Sequence, residues 1–216
     1  ALADYTKALE LNPRSFGACA NRAKLRLDKG DYDGAIADYT KAVELNPKGF
    51  KSYNNRGIAY RRKQDLDNAI ADFTKAIEMN PQFADAYGNR CSARLDKGDA
   101  DGAIADATKM IEWNPKSVDA FISRGSARAK KKEYDAAIED FNQAIALNPK
   151  SAEAYADRAS ARSKASTQPQ LNLSSKRIHL GAAIADATKA IQLNPALKKD
   201  LDDFLQKARA KLAEME

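Results

Sequence analysis

Apolar positions along this chain recur with a helical period. Between Tyr32 and Leu45, residues Ala35, Ile36, Tyr39, Ala42 and Val43 fall at i, i+1, i+4, i+7 and i+8, one stripe of an α-helix. A second helix is predicted before it, from Phe16 to Lys29, with Gly30 and Asp31 as the turn between the two. Asp31 is placed to cap the second helix and to favour its positive end. Pro47 stops that helix, since it lacks an N–H and restricts Asn46. Ser15, Ser117 and Ser151 stand where N-caps of first helices would fall. The unit is a helical hairpin whose Ala35 and Ala42 let a partner helix approach closely.

The hairpin repeats. Asn-Pro occurs at Asn12, Asn46, Asn80, Asn114 and Asn148, each 34 residues after the last, and again at Asn194 after 46. Tyr53, Tyr87, Phe121 and Tyr155 recur at one place in the first helix, with Cys19 there once. The predicted organisation is a lone second helix over 1–15, repeats over 16–49, 50–83, 84–117, 118–151 and 152–195, and a capping helix over 196–216. Leu197, Leu201, Phe204, Leu205, Ala208 and Leu212 give that last helix one apolar face. The repeat at 152–195 is interrupted near 164–177, where Ser, Thr, Gln, Asn and Pro169 predict a hairpin loop. One hairpin cannot bury its stripe alone, so neighbours must stack into a continuous core.

Composition narrows the class further. The chain is 44% hydrophobic and 31% charged, too apolar for a disordered segment and consistent with an all-α protein. No stretch approaches the roughly 20 apolar residues of a membrane span, so no membrane insertion is expected. The net charge of +6 is spread among alternating acidic and basic residues, as on solvated helix faces. Cys19 and Cys91 form no CxxC and read as reduced, packed thiols. His179 stands alone, and no nucleophile motif, phosphate loop or metal-ligand spacing occurs, so neither catalysis nor a metal or other cofactor is expected. No targeting signal is visible and localisation is left open; the start at Ala1, inside a repeat, suggests a missing native N-terminus.

The period, the small residues Ala23, Gly57, Cys91, Gly125 and Ala159, the paired Ala positions and the closing Pro resemble the tetratricopeptide repeat family over residues 1 to 195. The resemblance implies a right-handed superhelical solenoid of antiparallel helix pairs, first helices lining a concave groove, and a scaffold that binds a protein or peptide. Chaperone-binding members hold a terminal carboxylate at places that read here Ala20, Lys24, Asn55, Asp85 and Asn89; only Asn55 matches, so that mechanism is not expected.

Two polar ladders depart from a plain core. Arg22, Arg56, Arg90, Arg124 and Arg158 stand where the family usually carries Leu, and each needs a partner if buried. Asp4, Asp38, Asp72, Asp106, Asp140 and Asp186 recur on the second helices, and each Arg is expected to bridge the Asp before it and the Asp after it. The second ladder is Asn21, Asn55 and Asn89, followed by Ser123 and Asp157, on a stripe apart from the packing face. These residues could read an extended peptide backbone or bond within and between helices. With Lys24, Lys51, Asn54, Arg62, Asp85 and Asp119 they form the candidate ligand-binding groove, basic through Lys51, Arg61 and Arg62, then acidic through Asp85, Asp96, Asp119, Glu153 and Asp157; Ile122 is its apolar position. A helical-repeat RNA binder is the alternative, disfavoured by the groove carboxylates. A self-assembling solenoid is the other, stacking end to end through Leu2, Tyr5 and Leu9.

Overall fold

The computed structural model describes residues 1–215, which are helical throughout with no strand among them. They fall into two compact units, Ala1–Gly102 and a second beginning at Ala103. The first contains α1 (Leu2–Leu11), α2 (Phe16–Asp28), α3 (Tyr32–Leu45), α4 (Phe50–Arg62), α5 (Leu66–Met79), α6 (Ala84–Lys97) and the first turn of α7 (Ala100–Trp113). The second contains the rest of α7, then α8 (Val118–Lys130), α9 (Tyr134–Leu147), α10 (Ala152–Ala165), α11 (Leu173–Leu193), a short 3-10 turn and α12 (Lys198–Ala213). From α1 to α6 in the first unit and from α8 to α12 in the second each helix packs on its successor, and α2 on α4, α4 on α6 and α8 on α10 also touch. This is the all-α, solenoid-like stacking of helix pairs.

The hairpins close by repeated local chemistry. Asp31 and Asp65 accept from the N–H of Gly34 and Asn68 at the starts of α3 and α5, and Asp99 does so from Gly102. Ser15, Ser117 and Ser151 cap α2, α8 and α10. Where α4 and α6 begin without such a bond, the Phe50 and Phe83 rings meet edge to face at 5.0 Å. The residue before Asp31, Asp65, Asp99 and Glu133, where each second helix begins, lies in the left-handed region: Gly30 at φ 80° and Gly98 at 89°, but also Gln64 at 63° and Lys132 at 65°. Each Asn of the Asn-Pro pairs accepts from the N–H two residues on, an Asx turn that ends the second helix.

The core interlocks small against large. A methyl group added at Gly57 would sit 2.7 Å from the Phe73 ring, and one at Gly125 2.8 Å from Phe141. Where the ring's place is taken by Ala187, Leu205 of α12 packs with Ala159 and Ala187 instead. Leu205 and Ala208 are buried, so α12 is the capping helix expected from its stripe. No helix among the described residues is long and apolar enough to cross a membrane.

The interruption differs from the expected loop. α10 runs to Ala165, a turn follows in which Ser166 is buried, and Asn172 caps a helix that starts at Leu173. α11 is 21 residues long where α3 is 14. Much of the insertion is therefore helix, and it leaves Leu173 and Ile178 exposed.

Candidate functional site

Arginine and aspartate are brought together across four of the hairpins, in an arrangement that differs from the expected bridge. Arg22 donates through Nε and Nη2 to Asp38 at 2.8 and 2.7 Å, and Arg56 does the same to Asp72 at 2.8 Å. Arg124 reaches Asp140 at 2.7 Å, and Arg158 reaches Asp186 at 2.6 Å. These are two-pronged pairs to the Asp that follows. Among the described residues, the Asp that precedes makes no bond to Arg22, Arg56 or Arg158. Arg22 donates its third nitrogen to Thr6, Arg56 to Thr40, Arg90 to Thr74 and Arg158 to Asn142, at 2.7–3.3 Å. Asp4 is exposed and pairs with the Ala1 amine. The reason is angular: Thr6 lies two positions beyond Asp4, about 200° around the helix, and turns toward α2.

A second arginine strengthens three of these carboxylates. Arg26 donates to Asp38 at 2.9 Å, Arg128 to Asp140 at 2.8 Å and Arg162 to Asp186 at 2.7 Å. Tyr60 stands at that place in α4, so Arg56 is the only cation paired with Asp72 among the described residues. Arg56 lies over the Tyr53 ring, Arg90 over Tyr87, Arg124 over Phe121 and Arg158 over Tyr155, at 5.4–5.6 Å. Hydrogen bonding to Asp38 and Asp72 raises the pKa of Arg22 and Arg56 above the ordinary guanidinium value. Asp106 is buried in the second unit.

The candidate groove residues divide by burial. Asn21, Lys24, Lys51, Arg62, Asp85 and Asp119 are exposed; Asn55, Asn89, Ser123 and Asp157 are half-buried. Asn54, expected in the groove, is buried: its Oδ1 accepts from Asn89 at 3.0 Å and its amide donates to Asn55 at 3.3 Å. The amide ladder thus binds α4 to α6, which corrects the reading of Asn54 as a ligand contact. Ile122 is likewise core, packed with Phe121 and Phe141. Asp157 accepts from Ser126 at 3.1 Å, and burial raises its pKa above the carboxylate range. On the same first-helix face of the first unit, Arg61 pairs with Asp96 at 2.7 Å.

Two recesses open on the first unit. One, of about 690 Å³, is lined by Lys24, Leu27, Asp28, Lys29, Tyr32, Tyr39, Asn55, Ile58 and Arg62. The other, of about 240 Å³, shares Tyr32 and Arg62 with it and adds Arg61, Gln64 and Asp96. Burial pushes the Tyr39 hydroxyl up to about 12, while the nearby Asn55 side chain opposes the shift. That hydroxyl makes no hydrogen bond of regular geometry. The tyrosine was legible only as a packing residue; that three helices enclose space beside it has no signature in the repeat. A smaller recess in the second unit, about 200 Å³, is lined by Asp157, Ser126 and Lys164. No cluster suited to a metal ion occurs among the described residues.

A profile of the tetratricopeptide repeat matches residues 1–50, 20–84, 54–112 and 118–151. No curated protein sequence matches the chain significantly. Among solved structures, YrrB, described as a TPR protein with an unusual peptide-binding site, is 22% identical with a TM-score of 0.68, over 90% of this chain and 94% of its own. MamA from Desulfovibrio magneticus RS-1 is 17% identical with a TM-score of 0.71, over 84% and 96%. Yeast Tom70 is 18% identical with a TM-score of 0.68, over 97% of this chain and 43% of its own.

Proposed function

The chain belongs to the tetratricopeptide repeat family, and from that premise we propose that it is a non-catalytic scaffold that docks a peptide or extended segment of a partner protein on its first-helix face. The observation that carries the proposal is the unequal use of charge. Lysines of the second helices pair along their own helix, as Lys41 with Glu44 and Lys75 with Glu78. The ladder arginines are used between helices. Lys24 and Arg62, which line the larger recess, and Lys51, also on a first helix, make no ion pair among the described residues. Cations left exposed next to concave, partly apolar walls are suited to a partner and add nothing to the fold. The fold shared with YrrB supports the same reading, since that protein carries a peptide-binding site.

The test is binding of a diverse fluorescent peptide library to the native chain, to Lys24→Glu/Arg62→Glu and to Lys41→Glu/Lys75→Glu. Peptides lost by the first variant and retained by the second support docking on the first helices. Loss by the second variant alone would move the site to the opposite helices.

A further inference from the structure

The larger recess of the first unit is more specific than a general docking surface. Its rim carries Lys24, Lys29 and Arg62 against one carboxylate, Asp28, an excess of two positive charges. None of these side chains has an ion-pair partner among the described residues. Neutral donors lie deeper, namely the Asn55 amide and the Tyr39 hydroxyl, which is buried without a regular hydrogen bond. The hydroxyl is covered and lies beside Asn55, so the half-buried Asn55 side chain is the neutral group that a ligand in the recess can reach. Leu27, Ile58 and the Tyr32 ring supply apolar wall between the charged rim and the floor.

We infer that this recess binds a phosphorylated serine or threonine side chain within the docked partner segment, a refinement that rests on the docking reading above. A phosphomonoester carries about two negative charges and three strong acceptor oxygens at neutral pH, which match the excess charge and the spread of donors. A carboxylate brings one charge and a planar pair of oxygens, and would leave a cation uncompensated. The second recess continues from Tyr32 and Arg62 past the Arg61–Asp96 pair, giving the chain beyond the phosphate a polar channel of about 240 Å³. Lys24 and Arg62 are the phosphate clamp and Asn55 orients it; Asp28 opposes the anion and is outweighed by the three cations of the rim.

The experiment uses the full chain and fluorescence anisotropy. The probes are three peptide pools with the same randomised flanks and a central phosphoserine, serine or glutamate. The phosphoserine pool is expected to bind about tenfold tighter than the other two, the difference expected for one additional well-formed charge-assisted contact. Inorganic phosphate should compete, and Lys24→Ala/Arg62→Ala should abolish the preference without moving the helical melt. Tyr39→Phe, which keeps the ring, should reduce it in part. Equal binding of the three pools, still sensitive to the double variant, overturns the phosphate assignment and leaves the docking face standing. Absence of binding by any pool overturns both. Tighter binding of a single-stranded RNA oligonucleotide at the same salt overturns the assignment by giving the site to nucleic-acid phosphate.

Discussion

Replacing Arg56 by Leu, and Arg124 by Leu in a parallel protein, tests how the ladder holds the helix pairs. Both arginines clamp the next aspartate with two nitrogens, and both lie mostly out of solvent, 15% and 18% exposed. Their carboxylates differ in what remains after the change. Asp140 keeps Arg128 at 2.8 Å, whereas Asp72 keeps no cation among the described residues. Breaking a buried pair costs about 3–5 kcal/mol because it strands a charge; the partial exposure here argues for ~3 kcal/mol at Arg56. Arg124→Leu loses charge-assisted bonds without stranding Asp140, a cost of ~1.5 kcal/mol. The difference corresponds to about 0.5–1 M in the urea midpoint for ordinary denaturant slopes. Urea titration by circular dichroism, with Arg56→Leu/Asp72→Leu as the third protein, reads it directly. The double replacement should recover most of the Arg56→Leu loss, since an apolar pair suits the same position. Equal midpoints for Arg56→Leu and Arg124→Leu, or no recovery in the double variant, would refute the stranded-charge argument.

The hairpin turns carry the next prediction: Gln64→Gly and Lys132→Gly should each raise stability by ~0.5–1 kcal/mol, the left-handed penalty less the added flexibility of glycine. Thermal melts that fall instead would show that these side chains make contacts worth more than the strain. Glu133 is the one residue of the series Asp31, Asp65, Asp99 and Glu133 whose side chain makes no cap, so Glu133→Asp is expected to add ~1 kcal/mol. Hydrogen exchange at the N–H of Ala136 should slow with it, and an unchanged rate would count against a new cap. Asp157 has its pKa raised first by burial and then by Glu153, against Ser126 and Lys164. Its folded state therefore holds the proton more tightly than the unfolded chain, and stability rises as pH falls through the raised pKa toward the ordinary carboxylate range. Asp157→Asn should melt higher than the native protein at neutral pH and lose that advantage on acidification; an advantage constant with pH would contradict the assignment.

Much of this architecture is written in the period of the chain, because each repeat states its own caps, stop and small–large pairs. Asn-Pro marks the end of each second helix through an Asx turn and a missing N–H, and Gly57 faces Phe73 as Gly125 faces Phe141. What the period hides is direction. Arg56 lies 18 residues after Asp38 and 16 before Asp72, so both carboxylates are equally plausible from spacing. The periodic Thr6, Thr40 and Thr74 could have decided it, since a hydroxyl recurring two places after each Asp offers the third guanidinium nitrogen an acceptor without a second charge. The interruption misleads for a different reason. Ser, Thr, Gln and Asn read as a loop, yet helix propagates cheaply from an established core segment once Asn172 caps it. The larger recess depends on side chains of three helices, which no single repeat encodes.

The amide chain shows how the same residues serve fold and docking at different depths. Asn89 donates to Asn54 where α4 meets α6, a bond that ties the two first helices together. Asn55 accepts a 3.3 Å bond from Asn54, stands beside the Tyr39 hydroxyl and lines the recess that Lys24 and Arg62 border. Ordering an exposed lysine and arginine costs rotamer entropy, and isolated surface pairs return little for it. A rigid amide behind two free cations lowers that cost for a ligand that engages all three, because one partner is already in place. Affinity at this face should then depend on salt through Lys24 and Arg62, while its geometry is set by bonds that salt does not screen.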